Sequence, residues 1–253
     1  MVNFSSLSRL TDRVRRRRFM STIHDFKVDD WLRRLLPGRC AFCLAACEST
    51  APWCQACHLA LPWNLPACPA CAEPQTAGSR ARRCGRCLQR APAFDTARVP
   101  LRYEGELRGL MQGFKFQASP RAGSLMLALL EEALRDKPRP QALLAVPLHP
   151  RRARQRGFDQ ARWLAERLSA RLDIPLVGAQ RRRDTPSQRG LDRKRRRGNL
   201  RAAFRVETAL PSEVALLDDV MTTGATLDAL ARACHQAGAE RVEAWAVART
   251  PLP

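Results

Sequence analysis

Four Cys-x-x-Cys pairs, Cys40/Cys43, Cys54/Cys57, Cys68/Cys71 and Cys84/Cys87, crowd into residues 40–87 and constrain this chain more than any other feature. A CxxC turn sets two thiolates on one side of a tight knuckle, and two knuckles close a tetrahedral Zn2+ site. Ten residues separate the first two pairs and twelve the last two, spans that suit zinc ribbons. Sequential pairing gives two four-cysteine sites; an interleaved pairing gives the same count with another connectivity. In either case protein fills every coordination position, so about two zinc ions per chain are expected, structural rather than catalytic. The stretch is rich in proline and short of periodic apolar residues, as suits a module held by metal in place of a hydrophobic core. Redox chemistry is the competing use of CxxC, but it belongs to a thioredoxin-like βαβ setting that is missing here. Cys47 stands outside the pairs as a spare thiol, and His58, next to Cys57, is a substitute ligand or a surface residue.

Beyond about Phe94 the pattern changes to alternating helix and strand signals. Helices are predicted over Leu107–Phe116, Ala122–Arg135, Gln160–Arg171 and Leu227–Ala237, the last stopped by Gly238. Buried strands are predicted at Ala142–Val146, Val214–Leu217 and Val242–Ala248. Strands separated by helices imply a mostly parallel sheet with right-handed crossovers, and so an α/β fold. Arg181–Leu200, polar and rich in arginine, reads as a long exposed loop, and Cys234 as a small buried residue on the last helix. Upstream, residues 29–36 read as a short amphipathic helix ending at Pro37-Gly38. The first nineteen residues read as a disordered basic tail or a product of start-site choice, Met20 being a second start. The expected domains are a basic extension (1–36), a double zinc ribbon (37–92) and an α/β domain (93–253).

Within that domain, one segment carries chemistry: an apolar strand, then Asp218, Asp219, Val220, Met221, Thr222, Thr223, Gly224, Ala225 and Thr226, then a helix. Backbone N–H groups of such a turn and the helix dipole hold a phosphate dianion. The hydroxyls of Thr222, Thr223 and Thr226 add donors, and Gly224 permits a backbone geometry other residues resist. Asp218 and Asp219 stand where two ribose hydroxyls can donate to them, at the carboxyl end of a strand where open α/β sheets bind ligands.

The charge points the same way without deciding the matter. There are 44 basic against 24 acidic residues, formally +20, and Lys27, Lys115, Lys137 and Lys194 are the only lysines. Such an excess favours polyanions, nucleic acid or phosphorylated small molecules, unless it is a bias toward solvated arginines. Platforms for stacking bases are few, with one tyrosine and 6% aromatics. No run of 18 apolar residues occurs, so membrane insertion is not expected. Arg15–Arg18 are followed by a segment, Phe19–Lys27, too polar for a signal-peptide core, and a cytoplasmic location is expected. Ten cysteines in a reducing compartment again call for metal.

Taken together, the knuckles, Gly113-Phe114-Lys115-Phe116, Val146-Pro147-Leu148, Arg156-Gly157-Phe158-Asp159-Gln160 and the Asp218–Thr226 loop resemble the ComF/GntX family over roughly residues 35–250. Thr185, Gln188, Arg197, Asn199 and Ala203-Phe204 fit the same pattern, while Asp159 departs from the family's usual Asn. The resemblance implies a type I phosphoribosyltransferase fold with a double zinc ribbon, and binding of phosphoribosyl pyrophosphate (PRPP) with Mg2+ by Asp218–Thr226. It also implies a pyrophosphate loop at Val146–Arg152, with contacts from Leu148, Arg151, Arg156 and Lys115, and a mobile catalytic loop at Arg181–Leu200. The residues suit these roles: Leu148-His149-Pro150-Arg151-Arg152 offer N–H donors and cations to pyrophosphate. A loop rich in arginine can close over bound phosphates. The reaction would be displacement at C1 of PRPP with pyrophosphate leaving, yet no general base stands out and no motif identifies the acceptor. The family further implies a part in DNA uptake or use, beside a helicase-like partner and imported single-stranded DNA. Three readings follow: a transferase of unknown acceptor, a non-catalytic nucleic-acid or helicase-binding adaptor, and a PRPP-sensing regulator.

Overall fold

A computed structural model describes residues 38–47, 51–76, 78, 82–148, 157–181 and 203–251. The helix expected at 29–36, most of the Arg181–Leu200 loop, and Arg151, Arg156, Thr185, Gln188, Arg197 and Asn199 lie outside them. The chain divides into two compact units, Met1–His58 and Leu59–Pro253.

In the first unit, β1 (Gly38–Arg39) pairs antiparallel with β2 (Ala46–Cys47) around the first knuckle. Cys40 N donates to Ala45 O at 2.8 Å and Leu44 N to Cys40 O at 2.9 Å, closing the turn, with Leu44 in the left-handed region. The helix α1 (Gln55–Leu59) begins within the second knuckle. Cys47 is buried and its thiol donates to Trp53 O at 3.1 Å, while the His58 ring stacks on Trp53 at 5.6 Å.

The second unit holds the α/β core. It adds α2 (Gly85–Gln89), β3 (Thr96–Arg98), β4 (Leu101–Arg102), α3 (Gly105–Gln117), α4 (Pro120–Leu134), β5 (Ala142–Ala145), α5 (Gln160–Leu172), β6 (Leu176–Val177), β7 (Gln180–Arg181), β8 (Phe204–Arg205), β9 (Glu213–Met221), α6 (Ala225–Gln236) and β10 (Arg241–Arg249). The main sheet runs β3-β10-β9-β5-β6, with β4 continuing beside β10, and every pairing in it is parallel. This is the expected architecture, an α/β fold on a parallel sheet. β7 and β8 form a separate antiparallel pair.

Strand β10 is buried throughout Val242–Ala248, the continuous apolar run that a strand covered on both faces requires. Its one internal charge, Glu243, accepts from Arg98 Nε at 2.7 Å and Trp245 Nε1 at 3.0 Å, so the buried carboxylate is paired. Strand β9 extends past the expected Val214–Leu217 to Met221, because Val220 and Met221 find ladder partners in Ala248 and Arg249. Tertiary pairing here overrides the poor strand propensity of two aspartates.

Helices α4 and α5 pack on the sheet, and α6 packs on β9 and β10. Pro120 at the first turn and Ser119, whose Oγ accepts from Ala122 N at 3.3 Å, start α4. Gly123 allows α4 to approach its neighbours closely: a Cβ there would lie 2.7 Å from the Phe114 ring and 2.8 Å from Trp163. Phe114 packs edge-on against Trp163 (5.2 Å) and Phe158 (5.3 Å), locking α3 to α4 and α5.

Candidate functional site

The carboxyl end of β9 delivers the chemistry. Asp218 and Asp219 lie in its last turns of pleat, Val220 and Met221 end it, Thr222 and Thr223 form the turn, and Gly224 caps α6. Gly224 has φ 75°, a left-handed geometry that explains the glycine. Ala225 and Thr226 open the helix, with Ala225 N donating to Thr223 Oγ1 at 3.3 Å. The turn therefore presents the N-terminal end of a twelve-residue helix, where the backbone dipole favours an anion.

Backbone bonds fix both carboxylates. Asp218 Oδ1 accepts from Asp219 N at 2.8 Å, and Asp219 Oδ1 accepts from Val220 N at 2.7 Å. Asp219 Oδ2 is buried without a hydrogen bond of good geometry, and Lys115 Nζ stands 2.9 Å from it. Loss of solvent pushes Asp218 up to about 8, and the Asp219 charge adds to the shift. The Asp219 N–H and Lys115 pull the other way. Two adjacent carboxylates, one of them salt-bridged by Lys115, can accept from two hydroxyls on adjacent carbons.

Lys115 is placed from the side by α3, which the aromatic contacts of Phe114 anchor. Leu148 lies on the segment leaving β5, beside the loop's own strand: Ala145 pairs with Leu217, and Val146 N donates to Leu217 O at 2.8 Å. Asp159 caps α5 by accepting from Arg162 N at 3.0 Å, and its other oxygen accepts from Leu148 N at 3.1 Å. The carboxylate at this position thus ties the post-β5 segment to a helix N-terminus. The bond to Leu148 spans two elements and is not legible from sequence. Of the proposed contacts, the described residues bring Lys115 to the carboxylates and Leu148 to the same sheet edge; Arg151 and Arg156 lie outside them.

The eight paired cysteines gather sequentially. Cys40, Cys43, Cys54 and Cys57 form one group, and Cys68, Cys71, Cys84 and Cys87 another, with the sulfurs of each within 4.8 Å of one another. Cys43 and Cys54 Sγ are 3.8 Å apart, and Cys71 and Cys84 Sγ 3.7 Å. A tetrahedral zinc with bonds of about 2.3 Å requires sulfur spacings of roughly 3.8 Å, so both groups fit that ion. Knuckle N–H groups support the sulfurs: Phe42 N reaches Cys40 Sγ at 3.4 Å, and Cys84 N reaches Cys68 Sγ at 3.3 Å. Without a cation the thiols share charge unevenly. Burial pushes Cys40 up, yet N–H donors from Cys43, Cys54 and Phe42 together bring it down to about 6. Cys57 is raised to about 12, first by its hydrogen bond to the Cys43 sulfur. His58 and Cys47 take no part, and Cys234 is fully buried in the core with its thiol pushed up to about 12 by burial.

Two residues that sequence reading passed over belong to this region. Arg249, the last residue of β10, is fully buried, and its guanidinium is ion-paired with Glu73. A charged residue closing an apolar strand was the available signal.

Residues 31–88 match the double zinc ribbon domain. Competence protein F of Haemophilus influenzae is 37% identical over 181 residues, covering 67% of this chain and 79% of that protein. DNA utilization protein YhgH of Salmonella typhi is 32% identical over 226 residues, covering 85% of this chain and 98% of its own. Among solved structures, orotate phosphoribosyltransferase from Aeropyrum pernix aligns with a TM-score of 0.35 and 22% identity, over 52% of this chain and 61% of that one. Among the described residues, no helix is long and apolar enough to cross a membrane.

Proposed function

Since the chain belongs to the ComF/GntX family, we propose that it binds PRPP with Mg2+ at Asp218–Thr226 and serves the uptake or use of DNA. The observation that carries the ligand is the loop: two carboxylates at a strand end, a hydroxyl-rich turn with a left-handed glycine, and a helix N-terminus in sequence. Asp218 and Asp219 accept the ribose hydroxyls, while the turn N–H groups and Thr222, Thr223 and Thr226 hold the 5-phosphate. Leu148 and the basic residues that follow it in sequence are the candidates to meet the pyrophosphate, with Lys115 offsetting charge at the carboxylate edge. Mg2+, when bound with PRPP, neutralises charge on the pyrophosphate and ribose oxygens. The protein's share is positioning and electrostatics, and a leaving pyrophosphate is what these groups would stabilise. Zinc in the two cysteine groups is structural, and eight thiols kept as metal ligands suit a cytoplasmic chain.

The DNA role rests on the relatives' names, competence protein F and DNA utilization protein YhgH, and on the charge of +20. That charge favours attraction to the backbone of single-stranded DNA, while a helicase-like partner is what the family resemblance implies. Calorimetric titration of the zinc-loaded protein with PRPP and Mg2+, alongside the Asp218→Ala/Asp219→Ala double variant, tests the site. Binding by wild type alone is expected; heat absent from both would remove the PRPP reading and leave an adaptor. Pyrophosphate release in an acceptor screen then separates a transferase from a sensor.

A further inference from the structure

The guanidinium of Arg249, which none of the roles above uses, joins two segments far apart in the chain. Nε donates to Cys71 O at 3.2 Å, and Nη1 donates to Met221 O at 3.0 Å and to Thr250 O at 2.8 Å. Nη2 is paired with the Glu73 carboxylate. Cys71 is a member of the second four-cysteine group, and Met221 is the residue directly before the Thr222–Gly224 turn. Thr250 N donates to the same Met221 carbonyl at 3.0 Å, so that oxygen is held by two donors from one strand end.

Two physical points give this arrangement meaning. A guanidinium holds its donors in a rigid plane, so Cys71 O and Met221 O cannot shift independently while both bonds stand. A buried ion pair is also a poor source of stability compared with a well-packed apolar replacement, and its attested use is to specify geometry. The Met221 side chain extends the link: its Cε lies 3.2 Å from where a Cβ on Gly224 would sit. The Cys68/Cys71 knuckle and the end of β9 that leads into the turn are thus joined through one side chain. Other links bind the same knuckle region to the sheet edge, including Asn64 Nδ2, which donates to Ala72 O at 2.9 Å and Val99 O at 3.0 Å.

We propose that Arg249 is a positioning residue that couples the second four-cysteine site to the phosphate-binding turn, so that metal in Cys68/Cys71/Cys84/Cys87 sets how firmly the turn holds a phosphoribosyl phosphate. Closing the knuckle fixes the Cys71 carbonyl, the guanidinium carries that position to Met221 O, and Thr222–Gly224 start from a fixed point. The ligand part rests on the reading of the loop given above; the coupling itself is a property of the protein without ligand.

The test uses the full-length, zinc-loaded chain, with Glu73→Gln, Arg249→Lys and Cys84→Ser as variants. Arg98→Lys, which disturbs the Arg98–Glu243 pair between β3 and β10, controls for general loss of stability. Three readouts are taken: zinc content, amide hydrogen exchange over residues 219–226, and titration with PRPP and Mg2+. Cys84→Ser, Glu73→Gln and Arg249→Lys should each speed exchange in the turn and weaken PRPP binding about tenfold, a coupling of ordinary size. Arg98→Lys should leave turn exchange unchanged. Unaltered exchange in Glu73→Gln and Cys84→Ser, or an equal response in Arg98→Lys, would overturn the coupling. If wild type binds no PRPP, the ligand reading falls and the exchange data alone decide whether knuckle and turn are linked. Should Cys84→Ser or Arg249→Lys fail to fold, Glu73→Gln decides on the same readouts, since that side chain reaches solvent.

Discussion

Lys115 Nζ lies 2.9 Å from Asp219 Oδ2, so a lysine from the middle of the chain balances a carboxylate more than a hundred residues later. The pair is largely withdrawn from water, where a charge left alone is costly. Lys115→Met leaves Asp219 unbalanced beside Asp218 and removes a cation from the ligand's anionic side. We expect the fold to survive and PRPP affinity to fall about tenfold or more, read by calorimetry. Unchanged affinity would confine Lys115 to a structural role.

Asp218 should trade stability for binding. Its folded value is raised to about 8 by burial and by Asp219, above the carboxylate range of the unfolded chain. The folded protein therefore holds a proton that the unfolded chain releases, and the stability tied to it is full in acid and lost as pH rises toward 8. Asp218→Asn keeps the shape without the charge. It should raise stability at pH 8 by on the order of 1 kcal/mol, with little gain at pH 4, while PRPP binding is lost. Denaturant melts at the two pH values check the sign.

Metal analysis should find about two zinc ions per chain. Uptake requires thiolates, and within the first group N–H donors lower Cys40 while the hydrogen bond to the Cys43 sulfur raises Cys57. Zinc affinity should therefore fall as pH drops, because protons compete with the metal for the thiolates. A chromogenic chelator titrated from pH 8 to pH 5 reads this directly, and a folded chain recovered without zinc would contradict it.

Gly123→Ala is expected to destabilise the α/β unit despite the better helix propensity of alanine, worth about 1 kcal/mol. The new methyl would sit 2.7 Å from Phe114 and 2.8 Å from Trp163. Overpacking of this kind costs about 1–3 kcal/mol and displaces α3, which carries Lys115. A lower melting temperature together with weaker PRPP binding is the expected pair of results.

Single-stranded DNA binding, if carried by the basic surface, should weaken steeply with salt and survive the Asp218→Ala/Asp219→Ala double variant. Fluorescence anisotropy from low to physiological salt gives the slope. No binding at low salt would leave the partner surfaces as the route to DNA.

How much was legible depended on how local the signal is. Gly224 could be placed because a positive φ before a helix is a property of a few consecutive residues. The extent of β9 could not: Asp218 and Asp219 read as the end of the strand, yet the ladder continues to Met221 because β10 supplies partners at Ala248 and Arg249. Asp159 stood out only as a departure from the family's Asn; its bond to Leu148 needed β5 and α5 to be brought together.

By itself the sequence determined what short-range chemistry determines: eight thiols in knuckles, a strand–turn–helix loop with two carboxylates, and the alternation that makes a parallel α/β sheet. Only the tertiary structure decided which knuckles share a metal, that Lys115 faces Asp219, and that Arg249 spans Cys71 and Met221. Spacing and periodicity encode geometry within a few residues. Contacts separated by 104, 176 or 178 positions exist only once burial has folded the chain back on itself, and that depends on the whole core at once.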